Sequence, residues 1–344
     1  MASGSCSTAL HTELGISVPE TVHLQASDIE AETLHWARMM GLTANRRDAE
    51  RLGRARFHLA AARFLPHVPA ADVTLFSQWT TWFFFLDDEQ DDGLAGHDQA
   101  WVRRTYGSLL AIVSTSRPPG PASPLQAALA DLWQRTAPRM TPAWRTRFTT
   151  QMRHHRDAFL EQADNRVNGR VPSVEDYPRL RRRANGEHMF NLFEVAHRAE
   201  IPAPLARTSA WSELCAAAND ITAWCNDIAS YDRESASGDT TNYVTVFRHA
   251  LGCDTRTAVE QVKQQIRRRL DDLRNARRLL GQETHRLHLD DQRHPIAQVA
   301  DTLTDLPGTH FGWLLDSGRY TFPPPLNHDG TTGRAEDRPP PQPA

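Results

Sequence analysis

The chain has 344 residues, of which 40% are hydrophobic and 24% charged, with a formal net charge of −3. This composition excludes collagen-like, wholly disordered and disulfide-scaffold classes, and it offers no global basic field for nucleic acid or anionic lipid. Lys263 is the only lysine among the 39 Lys and Arg, so any anion site has to be built from guanidinium groups.

In chain order, residues 1 to 18 are small and polar and are expected to be disordered. They contain neither the basic start nor the apolar core of a signal peptide, and no apolar run reaches the ~18 residues of a spanning helix. Cys6, Cys215, Cys225 and Cys253 are scattered without a CxxC pair. Free thiols and a cytoplasmic location with no membrane insertion are therefore expected.

From Ala31 to Met40, Leu34, Ala37 and Met40 recur at helical spacing. Thr81 to Asp92 then drives an aromatic run into an acidic cluster. On a helix, Asp87 and Asp91 are four apart and share a face with Asp88 beside them, while Phe83 and Phe84 fall one turn deeper. Carboxylates crowded within one turn repel unless a divalent cation lies between them, and hard oxygens of this kind suit Mg²⁺ completed by a substrate phosphate. The plain alternative is an acidic helix end in solvent, which three adjoining phenylalanines make less apt.

Ser116 to Pro121 reads as a surface loop, and Ser123 caps a helix from Pro124 to Arg135 carrying Leu125, Leu129 and Leu132. After a softer break at 168–173 comes an arginine cluster, Arg179, Arg181, Arg182 and Arg183, followed by Asn185 and Gly186. Guanidinium forks suit a diphosphate. A glycine inside a helical pattern costs about 1 kcal/mol relative to alanine and points to a break whose carbonyl can face a ligand.

Asn226, Ser230 and Glu234 stand at i, i+4 and i+8, one stripe of a helix drifting by about 80°. An amide, a hydroxyl and one carboxylate make a weak cation site that fills only when a polyanion joins it. Thr255 to Leu280 repeats Val259, Val262, Ile266, Leu270 and Leu273 behind a cap at Asp254. Trp313 falls in the last helical segment and would either line the interior or pack as a core aromatic, and Arg319–Tyr320 offers a cation and a hydroxyl to one phosphate. The proline-rich residues 323 to 344 are expected to be disordered. Alternating strands are nearly absent, so the fold class is all-α, with about ten or more helices in a single domain spanning residues 19 to 322.

Taken together and in this order, the motifs resemble those of class I terpene synthases, in particular the bacterial sesquiterpene cyclases. Asp87-Asp88-x-x-Asp91 is similar to the aspartate-rich motif, and Asn226-Asp227-x-x-Ser230-x-x-x-Glu234 to the second metal motif. Arg182, Asn185 and Gly186 resemble the diphosphate sensor, linker and effector, with Arg181 and Arg183 as alternative sensors. Asn185 stands where the family usually carries aspartate, Arg233 where it carries a lysine, and Arg319–Tyr320 matches its terminal diphosphate-binding pair.

The resemblance implies a helical bundle around a central apolar pocket. Three Mg²⁺ ions and the arginines would hold a prenyl diphosphate, with farnesyl diphosphate the expected substrate, ionised, cyclised and stripped of diphosphate. A homodimer is compatible with it. Geranyl or geranylgeranyl diphosphate are the alternative substrates. A chain-elongating prenyltransferase would need two aspartate-rich motifs. A non-enzymatic cation-binding helical interaction protein would tolerate loss of Ser230 and Glu234. A helix-bundle di-metal oxidase would need paired Glu-x-x-His motifs on neighbouring helices; Glu194–His197 is one such spacing, with no matching second pair at bundle spacing. His154, His155, His285 and His288 are expected on helix faces.

Overall fold

The computed structural model describes residues 10–91, 98–118, 120–236 and 239–317, and among them there is no β-strand. Sixteen α-helices follow one another among these residues: α1 (10–14), α2 (Ala26–Met39), α3 (Arg46–Ala55), α4 (Phe57–Phe64), α5 (Ala70–Asp91), α6 (Gln99–Thr115), α7 (Pro124–Thr136), α8 (Pro142–Val167), α9 (Tyr177–Ala184), α10 (Glu187–Phe190), α11 (Leu192–Ala196), α12 (Ala203–Ala206), α13 (Ser209–Ala236), α14 (Tyr243–Leu251), α15 (Thr255–Arg286) and α16 (Arg293–Asp316).

The expected start of α7 holds in atomic detail. Ser123 accepts from the Gln126 amide and Gln126 returns the bond to the Ser123 amide, a reciprocal capping box with Pro124 at the first helical position. Asp254 caps α15 through the Thr257 amide at 2.8 Å. α15 then buries Val262, Ile266, Leu270, Leu273 and Leu280 along one stripe, as their spacing requires.

α5 and α13 form the centre of the bundle. α5 is buried nearly all round from Val73 to Leu86, the pattern of a helix enclosed by neighbours. Its indoles keep hydrogen-bond partners on α7: Trp79 donates to Thr136 Oγ1 at 2.9 Å and Trp82 to the Leu125 carbonyl at 3.0 Å. α13 buries Asn219, Asp220, Asp227 and Ser230 as well as its apolar face. Polar groups at such depth are costly unless satisfied, and their partners are described below.

Residues 10 to 18 correct the expectation of a disordered start. Leu10, Leu14 and Ile16 are buried in the main core, and Lys263 bonds Glu13 at 2.8 Å. Their seat is a smooth stretch of α16. A Cβ on Gly308 would stand 1.9 Å from the Ser17 carbonyl oxygen, an approach that only glycine allows. Residues 1–9 and the expected tail at 323–344 lie outside the described residues.

Candidate active site

One hollow of about 110 Å³ opens among α5, α8, α9, α13 and α16. α5 contributes Phe83, Phe84 and Asp87, and α13 contributes Asn226, Arg233 and Glu234. α8 contributes Phe159, Gln162 and Arg166, and the end of α9 contributes Arg181, Ala184 and Asn185. Asp239, Thr241 and His310 complete the lining. Helical spacing explains the grouping: Phe83, Phe84 and Asp87 share a face of α5, and Phe159, Gln162 and Arg166 share one of α8.

The oxygen donors suit a hard cation. Asp87 of α5 and Asn226 and Glu234 of α13 line the same hollow from two helices. Glu234 is held in place by Asn242, which donates at 2.9 Å, and by Arg233 at 3.4 Å. Ser230, on the same stripe of α13, is buried and does not itself line the hollow; it donates to the Asn226 carbonyl at 2.8 Å. Among the described residues no three His, Cys, Asp or Glu side chains form a metal cage alone.

Asp88 departs from the expectation that it shares the cation. It lies 3.5 Å from Arg51 of α3 and does not line the hollow. Arg51 also sits over the Phe85 ring, 5.4 Å from its centroid. The reason is angular, because adjacent helical residues point about 100° apart. The side chain of Asp91, and Arg319 and Tyr320, lie outside the described residues.

The arginine cluster divides its tasks. Arg181, not Arg182, lines the hollow. Arg181 donates from Nε to Asp227 Oδ1 at 2.9 Å and from Nη2 to Asn226 Oδ1 at 3.4 Å. Arg182 turns instead to Asp220, donating to Oδ1 at 2.6 Å, and Arg269 approaches the other Asp220 oxygen at 2.9 Å. Of the arginines expected as sensor, Arg181 lines the hollow and Arg182 does not, because their partners Asp227 and Asp220 stand seven residues apart on α13.

Burial pushes the Asp227 carboxyl up to about 6, against the pull of Arg181 and the Tyr177 hydroxyl, which donates at 2.6 Å. Burial likewise raises Asp220 to about 6, against Arg182 and Arg269. Arg183 pairs with Glu161 at 2.8 Å and Arg179 with Asp176 at 3.6 Å, both away from the hollow.

The break after α9 is real. Gly186 has φ +76°, and a Cβ there would stand 2.6 Å from the Phe83 ring. Asn185 donates to Asn219 Oδ1 at 2.9 Å, and Asn219 donates to the Arg182 carbonyl at 3.1 Å, so α13 holds both sides of the turn. An amide serves here where a carboxylate could not donate.

The aromatic floor has depth. Phe84 stacks on Phe57 with centroids 4.4 Å apart and meets Trp313 at 5.6 Å. Trp313 is fully buried, donates to the Ala55 carbonyl at 2.8 Å, and sits behind Phe84 as a core aromatic, not in the lining of the hollow.

Arg51, Arg166, Asp239 and His310 belong to no motif of the sequence, yet all four stand at or beside the site. Arg166 pairs with Asp239 at 3.1 Å across the rim. Burial lowers His310 to about 4, so a neutral imidazole faces the hollow. For α8, the four-then-three spacing of His155, Phe159 and Gln162 is the signal that the sequence offers.

Of the histidines expected on helix faces, His154 and His285 are exposed, whereas His155 is buried in the aromatic core. Glu194 and His197 do not form half of a di-metal site. Arg147 and the Ile201 amide bond Glu194, while His197 bonds Thr302 at 2.8 Å.

Comparison with known proteins is consistent along the chain. Residues 78–272 match the family described as terpene synthase family 2, C-terminal metal binding. The pentalenene synthase of Streptomyces arenae is 30% identical over 85% of this chain and 87% of that one. A (−)-β-caryophyllene synthase of Saccharothrix espanaensis, named as cyclising (2E,6E)-farnesyl diphosphate, is 30% identical over 92% of this chain and 91% of its own. Among solved structures, a variant of cucumene synthase superposes with a TM-score of 0.79 at 25% identity, covering 88% of this chain and 98% of that one.

Proposed function

This chain belongs to the terpene synthase family, and from that premise we propose that it ionises farnesyl diphosphate and cyclises the chain to a sesquiterpene with release of diphosphate. The observation that carries this reading is the shared hollow: Asp87 of α5 and Asn226 and Glu234 of α13 line it together with Phe83, Phe84 and Phe159. A cation-binding interaction protein needs no such aromatic floor.

Asp87, Asn226, Ser230 and Glu234 would hold magnesium, three ions by resemblance to the family, and the metal supplies Lewis-acid neutralisation of the leaving group. Arg181, Arg233 and Arg166 gather the negative charge that builds on the departing diphosphate, and their own charge does not change during reaction. Asp227 and Tyr177 keep Arg181 aimed without being consumed. The C–O electron pair leaves with the diphosphate, and the ring faces of Phe83, Phe84 and Phe159 stabilise the allylic cation, each by roughly 2 kcal/mol when desolvated. The same rings keep water from the cation. Arg319 and Tyr320 are proposed as further diphosphate contacts. Asp88 acts by steadying this end of α5 through Arg51.

Among the described residues no helix is long and apolar enough to cross a membrane, and Cys215, Cys225 and Cys253 are free. A cytoplasmic enzyme is the setting we propose. Incubation with geranyl, farnesyl and geranylgeranyl diphosphates plus Mg²⁺, followed by analysis of volatiles, tests the function. Cyclic sesquiterpenes from the farnesyl substrate support it. No diphosphate release from any of the three would refute it.

A further inference from the structure

Behind the wall of the hollow stands a polar group that no motif assigns. His155 of α8 is buried, with 1% of its surface exposed. It touches three wall residues carried by three helices. It stacks on Phe83 of α5 with centroids 5.4 Å apart and planes 29° apart. It meets Phe159 of α8 edge-on at 4.4 Å. Its Nε2 lies 3.1 Å from the carbonyl oxygen of Ala184, the last residue of α9.

A carbonyl oxygen only accepts, so Nε2 carries the proton. Nδ1 is then an acceptor, and Tyr106 of α6 donates to it at 2.8 Å. Both ring nitrogens are satisfied, which fixes tautomer and ring plane together. Burial lowers this imidazole to about 3, so it stays neutral across the working range. Its other flank is His188, with ring centroids 5.1 Å away and ring nitrogens that have no hydrogen-bond partner among the described residues. Phe83 is thereby confined between the imidazole and Gly186, where there is no space for a Cβ.

We propose that His155, oriented by Tyr106, is a positioning residue that sets the contour of the hollow by fixing the Phe83 ring and the end of α9, and so selects which cyclisation product forms. This rests on the cyclase reading above. A cation passing along the wall meets the Phe83 face in one orientation only while the imidazole holds it. Loss of the Nε2 donor leaves a buried carbonyl unsatisfied at a helix end and frees the ring to tilt. The diphosphate grip is built from other residues and stays as it is.

The test uses the full chain with His155→Leu, His155→Gln and Tyr106→Phe. Glutamine can still donate to Ala184 and accept from Tyr106. Tyr106 does not line the hollow, but its hydroxyl also feels the charge of Asp87, so Tyr106→Phe counts for the inference where it shifts products in the same direction as His155→Leu. With farnesyl diphosphate, His155→Leu and Tyr106→Phe should each change the ratio of products at least threefold and lower kcat while KM stays within twofold. His155→Gln should restore the wild-type ratio. Unchanged ratios in Tyr106→Phe, or glutamine behaving like leucine, would overturn the inference. Nitrogen-15 NMR of the imidazoles in the unliganded wild type is the second readout. An Nδ1–H tautomer or a charged ring at pH 6 to 8 overturns it without reference to turnover. A wild type that forms no product would instead sink the cyclase reading.

Discussion

Arg181 donates through Nε to Asp227 Oδ1 at 2.9 Å, and this buried pair joins α9 to α13 at the rim of the hollow. The next residue, Arg182, makes the parallel pair with Asp220 two turns earlier on α13. The same helix–helix seam thus carries one arginine that lines the hollow and one that does not.

Arg181→Gln should weaken binding of magnesium pyrophosphate at least tenfold, since a charge-assisted hydrogen bond is worth about 1.5–3 kcal/mol. Asp227 keeps Tyr177, so the fold should survive at a cost near the low end of the ~3–5 kcal/mol for breaking a buried pair. Arg182→Gln should change that affinity less than about threefold and act on thermal stability instead. Isothermal titration alongside calorimetry separates the two, and equal losses of affinity would contradict the assignment.

Asp87→Asn, and Asn226→Ala combined with Ser230→Ala, should lower turnover by roughly 10²-fold or more while helical circular dichroism persists. Asp88→Asn should cost far less, because its partner is Arg51. Chelation should stop turnover and added Mg²⁺ should restore it. Full activity in EDTA would exclude the proposed metal site.

Gly186→Ala places a methyl group 2.6 Å from the Phe83 ring in a left-handed backbone conformation. The conformation alone costs about 1–2 kcal/mol, and each kcal/mol lowers Tm by about 2–4 °C in a domain of this order. Differential scanning calorimetry should register a loss of several degrees, accompanied by an altered product ratio. A variant as stable as wild type would mean that the break is not strained.

The neutral His155 also has a pH signature. Its folded value of about 3 lies below the ordinary 6.5, so the folded state binds fewer protons there than the unfolded chain. Its contribution to stability is complete above pH 6.5 and is lost as pH falls towards 3. Denaturant titrations of wild type and His155→Gln between pH 6 and 4 should narrow the wild-type advantage by about 1.4 kcal/mol per pH unit. A pH-independent difference would place the imidazole in contact with solvent.

Much of this protein was legible in one dimension, because helices have a fixed period. Ser123 before Pro124 and Asp254 before Thr255 located two helix starts, and i, i+4, i+8 spacing put Asn226 and Glu234 on one stripe. Phe83, Phe84 and Asp87 shared a face for the same local reason. What periodicity cannot convey is rotation about an axis relative to other helices. That rotation decided that Arg181 faces the hollow while Arg182 is taken by Asp220, that Asp88 turns to Arg51, and that Trp313 lies behind Phe84. It also buried residues 10–18 against α16, since whether a short polar segment packs depends on a groove elsewhere in the chain. His155 belongs wholly to that second class. Its partners Tyr106 and Ala184 lie 49 and 29 residues away, and only packing brings a hydroxyl, an imidazole and a helix end into one line.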